Sequence, residues 1–258
     1  MSKLALVRRP SPRLTEGLVT HIDRSPVDFQ LALRQWESYV AALEACGWRT
    51  IEVPAAPDCP DSVFIEDTMV VFKDLAVIAR PGADERKPEV AAAAATVASL
   101  GYRTVHITAP GTLDGGDVLK VGDTVYVGRG GRTNGEGISQ LRAALEPLGA
   151  TVITVPITSV LHLKSAVTAL PDATIIGWER VVDDTHAFPR FLGMPEESGA
   201  HVVLLGDDHV LMSHDCPRSI VLLKSAGLIP VLVDISEFIK LEGCVTCLSV
   251  RLRDAPGA

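Results

Sequence analysis

The sequence has no basic cluster, no long apolar run, no low-complexity tract and no even complement of cysteines, and each absence removes a class of protein. Sequence-independent nucleic-acid binding needs Lys and Arg to neutralise phosphates. Here 24 basic residues face 32 acidic ones, a formal charge of −8 with no positive tract, so no nucleic-acid partner is expected. No stretch approaches the roughly 20 uninterrupted apolar residues of a membrane span, and the opening MSKLALVRRP lacks the apolar core of a secretory signal. The expectation is a cytoplasmic protein with no membrane partner. Five cysteines (Cys46, Cys59, Cys216, Cys244, Cys247) are an odd number in a long, unexported chain, which argues against a disulfide framework. What is present is 258 residues with 47% hydrophobic content, enough to bury a substantial core. The negative field suits a small cationic ligand.

Aligning the glycines reveals a repeat. Gly47 to Pro54, Gly101 to Thr108, Gly149 to Pro156 and Gly227 to Asp234 each follow an amphipathic stretch and open a β-like run, at spacings of 54, 48 and 78 residues. The helices predicted before them cover 29–45, 89–100, 137–148 and 217–226, each stopped by its glycine. In the first, Leu33, Trp36, Val40 and Leu43 fall on one face. Two short β runs follow each loop, as at 68–72 with 75–79 and 118–121 with 124–127. The long last gap has room for one more copy, with Gly199 to Gly206 as its strand signal. About five α/β units of about 50 residues result, a period typical of arrayed or propeller-like folds. A lone strand at Leu4–Val7 and another from Cys247 to Leu252 are then left to close a ring.

Counted from the leading glycines, Asp61, Asp114, His162 and Glu242 lie 14, 13, 13 and 15 residues on, while Asp67 and Cys247 both lie 20 on. Equivalent loops of a ring converge, so these side chains would share one central pocket. Singly, each has a plainer reading. Asp61 and Asp67 read equally as a turn residue and a strand-end cap, and Asp114-Gly-Gly-Asp117 as a turn between strands. His162, between apolar neighbours, reads as a hydrogen-bonded core residue. His106, His201, His209 and His214 read as structural or surface residues, and Cys46 as a small buried hydrophobe.

The segment EGCVTCLSV, residues 242–250, carries a CxxC spacing. A redox pair needs its first cysteine at a helix N-terminus, whereas the continuation here alternates like a strand. In extended chain, positions three apart face opposite sides. A zinc site would need two further ligands at short spacing, and none is present. The reading that remains is one directed thiol, Cys247, with His162 as base or proton donor and Asp114 orienting it. Additional carboxylates oppose a thiolate, unless the substrate is a cation. A guanidinium would pair with them bidentately and present its central carbon to the thiol.

The segments PDSVFIEDTMVV, TLDGGDVL, GRTN, VLHLKS and EGCVTCLSV, in this order, resemble the dimethylarginine dimethylaminohydrolase family of the guanidine-modifying pentein superfamily. The likeness spans essentially the whole chain. It implies one domain over residues 1–258, folded as a five-bladed α/β propeller with pseudo-fivefold symmetry. It implies cofactor-independent, metal-free hydrolysis of asymmetric dimethylarginine and monomethylarginine to citrulline plus dimethylamine or methylamine, through a Cys-bound thiouronium. Carried over residue by residue, Cys247 would be the nucleophile, His162 the proton donor and later water activator, and Asp114 its orienting partner. Asp61, Glu66 and Asp67 would hold the guanidinium, and Arg86 and Arg132 the substrate carboxylate, although Arg86 also reads as surface charge. Leu18 would sit in a mobile lid, and Leu241 would offer a backbone carbonyl to the substrate amino group. Two residues depart from the family pattern: Glu242, where Asp is usual, and Cys244, where Gly or Leu is usual.

Alternatives stay open within and outside the enzymes. An arginine deiminase or amidinotransferase would use the same logic with another leaving group or acceptor. A non-catalytic pentein would bind without reacting, and a redox protein would use both thiols of CxxC. The partner expected is a small cationic amino acid; oligomeric state is open, a homodimer included.

Overall fold

The computed structural model describes residues 3–253. Five three-stranded sheets stand side by side, each built to one plan: an inner strand, a middle strand antiparallel to it, and an outer strand parallel to the middle one. The second sheet in the ring uses Met69–Phe72, Leu75–Ile78 and Arg103–His106, and the third Val118–Val121, Thr124–Arg129 and Thr151–Pro156. Parallel neighbours need a crossover, and helices supply it: Val90–Ser99 and Gly135–Leu145 in these two sheets, Pro217–Ser225 in the fifth. The termini close the ring. Leu4–Val7 is the middle strand of a sheet whose inner strand is Val250–Leu252 and whose outer strand is Arg49–Glu52, with Leu6 facing Val250 on one side and Ile51 on the other.

The glycine punctuation has a conformational cause. Gly47, Gly101, Gly149 and Gly227 have φ of 79°, 88°, 91° and 86°, the left-handed region where a Cβ is penalised and a helix can stop. The first helix is Phe29–Ala45, with the Asp28 carboxylate accepting from the Leu31 amide as its cap. Its buried face is Ala32, Gln35, Trp36, Tyr39 and Leu43, turned from the expected one so that Leu33 and Val40 are only half-buried. Polar groups explain the turn: Gln35 accepts from the Glu237 amide at 3.0 Å, and the Tyr39 hydroxyl donates to Val245 O at 2.9 Å. Asn134 caps the third-sheet helix through the Gly137 amide, starting it two residues before the predicted 137. Pro147, lacking a donor, leaves Glu146–Leu148 as a 3-10 turn.

The fourth unit breaks the pattern. Its strands are Val167–Ala169, Ile175–Gly177 and Phe191–Gly193, and two 3-10 turns, Glu179–Val181 and Thr185–Ala187, replace the helix. The segment Gly199 to Gly206, expected as the outer strand of this hidden copy, instead supplies Val203–Gly206, the inner strand of the fifth sheet. The true outer strand has no leading glycine because no helix needs stopping there.

The middle strands are covered on both faces and read as continuous apolar runs. In Leu4–Val7, Ala5 and Val7 pack with Trp36, Tyr39, Leu43 and the fifth sheet's Val203 and Leu211, while Leu4 and Leu6 pack with Ile65, Met69 and Ile78 of the second. Full burial of a residue such as Leu43 is worth about 1.5–3 kcal/mol. Among the described residues, no helix is long and apolar enough to cross a membrane.

Candidate active site

The loops before the inner strands, with Asp61, Asp67, His162, Leu241 and Cys247, and those after the middle strands, with Leu18, Arg86 and Arg132, bring the predicted residues together. Leu18, Asp61, Asp67, Arg86, Arg132, His162, Leu241 and Cys247 all line one cavity, with Phe64, Leu161, Glu242 and Gly243 completing the wall. The cavity is partly open to solvent and has room for water of about 20 Å³, about one molecule. A substrate the size of an amino acid therefore needs part of the wall to lift.

His162 lies at the centre, 3% exposed. Its Nε2 is 3.0 Å from Asp114 Oδ2 and its Nδ1 is 3.8 Å from Asp67 Oδ1. Burial favours the neutral ring, but Asp67, Asp117 and Asp114 outweigh it and raise the imidazole to about 9. Asp67 shows the reverse balance: burial opposes its charge, yet His162 and Arg86 hold it down at about 2. Asp114 is fixed by the Gly82 amide, which donates to its Oδ1 at 2.9 Å. The two glycines of DGGD make this proximity attainable. A Cβ on Gly116 would lie 2.6 Å from both Asp67 Oδ1 and His162 Nδ1, so a side chain there would push the charged pair apart.

Asp117, the last acid of DGGD, was not singled out from sequence. Its Oδ1 accepts from the Leu163 amide at 3.0 Å and its Oδ2 from the Thr133 hydroxyl at 2.5 Å, anchoring the loop that carries His162 to the loop that carries Arg132. Burial pushes its carboxyl up to about 7 against the pull of His162. The signal was in the sequence, since an Asp-Gly turn needs no second acid.

The two arginines differ. Arg86 is buried, which corrects the surface-charge reading. Its guanidinium donates to Asp67 at 2.5 Å, to Glu89 at 2.8 and 3.1 Å, and to the Phe64 and Asp61 carbonyls. Arg132 keeps capacity in reserve: its Nη1 has no hydrogen-bond partner and lies 3.8 Å from Asp114. At the wall, both oxygens of Asp61 accept from the Leu18 amide at 3.1 Å, and Glu242 accepts from the Thr20 and His21 amides at 2.7 and 2.6 Å. Two carboxylates thus hold the segment around Leu18 in place.

Two expectations need correction. Glu66 does not line this cavity. Its Oε1 pairs with Lys164 at 2.7 Å and Arg251 at 2.8 Å, and it faces a second cavity, of about 100 Å³, ringed by the inner strands. Glu66 and Asp67 are successive residues of the 3-10 turn Ile65–Thr68, where neighbouring side chains point about 120° apart, so the two face different spaces. The second correction concerns CxxC. Its residues are not extended; the Cys247 amide donates to the Cys244 carbonyl at 3.1 Å in a turn, and the strand begins only at Val250. The two sulfurs face each other at 3.4 Å. Opposite orientation therefore cannot set the redox reading aside, although neither cysteine opens a helix.

Cys247 is 6% exposed and borders the cavity. Its carbonyl accepts from the Glu66 amide at 3.1 Å, and the neighbouring Val245 carbonyl and Ser249 hydroxyl are held by Tyr39 of the first helix. A Cβ on Gly243 would lie 2.4 Å from the Phe64 ring, so this glycine lets the thiol's loop close on the wall. Asp67, Asp114 and His162 offer ligand atoms within 4.8 Å of one another, as a metal site would. All three are already engaged, with Arg86 and Gly116, with Gly82, and with each other.

Chemically, the arrangement offers a buried thiol, a protonated imidazole between two carboxylates, and a guanidinium whose Nη1 is buried without a hydrogen-bond partner. No family model matches the chain. Over 253 residues it is 64% identical to an N(G),N(G)-dimethylarginine dimethylaminohydrolase of Streptomyces coelicolor, covering 98% of both chains. A solved structure of the Pseudomonas aeruginosa dimethylarginine dimethylaminohydrolase, a cysteine-to-serine variant complexed with citrulline, matches with a TM-score of 0.91 and 32% identity over 98% of this chain and 100% of that one. A dimethylarginine dimethylaminohydrolase histidine-to-glycine variant, as its adduct with S-methyl-L-thiocitrulline, matches with the same score, identity and coverage.

Proposed function

Since the chain belongs to the dimethylarginine dimethylaminohydrolase family, we propose that it hydrolyses Nω-methylated arginines to citrulline and the corresponding methylamine, using Cys247, His162 and Asp114. The observation that carries these roles is a buried thiol and a buried, acid-flanked imidazole opening on one cavity. Asp67 and Asp61 receive the guanidinium, and its charge offsets the acids that otherwise oppose a thiolate at Cys247. Arg132 takes the substrate carboxylate, for which its Nη1 has hydrogen-bonding capacity unused. Arg86 acts by fixing Asp67. The Leu18 segment lifts to admit substrate, and the Leu241 backbone holds the amino group. Glu66 supports the fold from the far side.

The reaction proceeds in two halves. The Cys247 thiolate attacks the guanidinium carbon, a C–S bond forms, and the C–N bond to dimethylamine breaks as His162 gives the departing nitrogen its proton. An imidazole that stays protonated to about 9 suits that step at neutral pH. His162 then takes a proton from water as the water attacks the thiouronium carbon. The C–S bond breaks, returning the thiol and releasing citrulline. Five free thiols accord with work in a reducing cytoplasm.

Incubation with Nω,Nω-dimethylarginine tests the reading. Citrulline and dimethylamine are expected in equal amounts, and neither with Cys247→Ser. Ammonia released from arginine at the higher rate would make the protein a deiminase instead.

A further inference from the structure

Cys244 has no part in the reaction as written, yet within an apolar core cluster its sulfur has three polar neighbours. Its sulfur lies 3.4 Å from the Cys247 sulfur and 3.2 Å from the Thr246 hydroxyl, with the Lys164 carbonyl at 3.9 Å. Its backbone amide, in turn, points at the Cys247 sulfur from 3.5 Å. Both thiols are buried, 3% and 6% exposed. Two thiolates at this separation would repel strongly, so the pair holds one proton or two and titrates as a unit.

The surroundings of the two sulfurs differ. The Thr246 hydroxyl and the Cys247 thiol both lie where they can donate to the Cys244 sulfur. Cys247 has the Cys244 sulfur and the long contact from the Cys244 amide, and it alone of the two borders the cavity with Asp67. The ionisable groups acting on the pair are Glu66 and Asp67 from the loop before the second inner strand, His201 beside Cys244, Arg251 from the closing strand and His162 across the cavity. Before substrate binds, the carboxylates disfavour charge on Cys247.

We propose that Cys244 is the base that activates Cys247: in the free enzyme the single negative charge of the pair rests on the Cys244 sulfur, and a cationic substrate beside Cys247 draws it across. The Cys247 S–H bond breaks, a Cys244 S–H bond forms, and no other atom changes hands. The new thiol at Cys244 can donate to the Lys164 carbonyl, and the Cys244 amide stands ready to donate to the Cys247 thiolate. The same asymmetry appears in the acidities. The hydrogen bond from Cys247 leads in holding Cys244 down at about 5, and that bond, with burial, pushes Cys247 well above the ordinary thiol range. Activation then needs no solvent base in a cavity that admits about one water. This inference rests on Cys247 being the nucleophile.

The test is the ultraviolet thiolate absorbance of the free enzyme against pH, in wild type, Cys244→Ala, Cys244→Ser and Cys247→Ser. The other buried thiols do not intrude at low pH, since burial raises Cys59 and pushes Cys216 up to about 12. One thiolate is expected at neutral pH in wild type and in Cys247→Ser, and none in either Cys244 variant. In Cys244→Ala, kcat at neutral pH should fall by roughly ten- to a hundredfold with little change in KM, and should recover as pH rises. A purely structural role for Cys244 would give no such recovery. The proposal is overturned if the low-pH thiolate is lost in Cys247→Ser, or if wild type shows none below the ordinary thiol range. Should the Cys244 variants fail to fold, the Cys247→Ser titration still decides. Turnover by Cys247→Ser would instead sink the nucleophile assignment, and the absorbance result would stand apart from it.

Discussion

Two cavities share the middle of the ring, and neighbouring residues divide between them. Asp67, His162 and Cys247 face one, while Glu66, Lys164 and Thr246 face the other. The first has acids around a thiol and an imidazole, with one guanidinium in reserve. The second reverses the signs, with Lys120, Lys164, Arg251 and Arg253 around the single carboxylate of Glu66. Charge of the same kind thus does two jobs. On the reactive side it is left partly unmatched and shifts the acidity of its neighbours. On the far side Glu66 is matched by ion pairs of 2.7 and 2.8 Å that tie inner strands together, while burial and the surplus of cations lower Lys120 to about 7.

The sharpest way to break this contrast is to remove the reactive groups. Cys247→Ser and His162→Gln should each lower citrulline formation by at least about a thousandfold; thermal stability should be little changed in the first and lower in the second, which leaves Asp67 and Asp114 without the charge of the imidazolium. Next in size, Asp67→Asn should raise KM and lower kcat, together costing roughly a hundredfold in kcat/KM. It also frees Arg86 to compete for the substrate carboxylate. Unchanged kinetics, with unchanged labelling of Cys247, would show that cation binding and thiol activation are not linked.

Glu66→Gln probes the other side. It leaves Lys164 and Arg251 without their counter-charge, so stability should fall by about 2–4 kcal/mol while KM stays near wild type. A raised KM at undiminished stability would return Glu66 to the substrate site. The smallest effect is on pH. His162 is raised from 6.5 to about 9, so its stabilising contribution is complete below about 6.5 and is lost as pH rises through about 9. Activity should decline over the same alkaline range. Asp114→Asn removes one of the supporting carboxylates and should move that decline to lower pH in a kcat profile.

The fold was legible wherever backbone geometry leaves a compositional mark. Helix stops need a left-handed residue, so Gly47, Gly101, Gly149 and Gly227 displayed the repeat, and the 29–45 helix matches to the residue. The fourth unit was misread because 3-10 turns stand where its helix should be, and nothing then demands a glycine. At the site, equivalent loop positions brought Asp67, Asp114, His162 and Cys247 to mind, since a ring makes equivalent loops neighbours. Direction was not legible in the same way. Glu66 and Asp67 look interchangeable in a motif, and only the packed turn assigns them to different cavities. Arg86 looks like any charge in Asp-Glu-Arg-Lys until its partners Asp67 and Glu89 fold around it. The CxxC pair was misjudged because its apolar and polar alternation imitates a strand, whereas a single hydrogen bond from Cys247 N to Cys244 O makes it a turn.

The central claim is that one of two touching thiols attacks the substrate. Mass spectrometry of the acid-quenched enzyme during turnover of Nω,Nω-dimethylarginine tests it most directly, with fragmentation to locate any added mass in the segment spanning residues 241–251. The expected result is a thiouronium adduct on Cys247, with Cys244 unmodified. An adduct on Cys244, or steady citrulline production with neither sulfur modified, would contradict it.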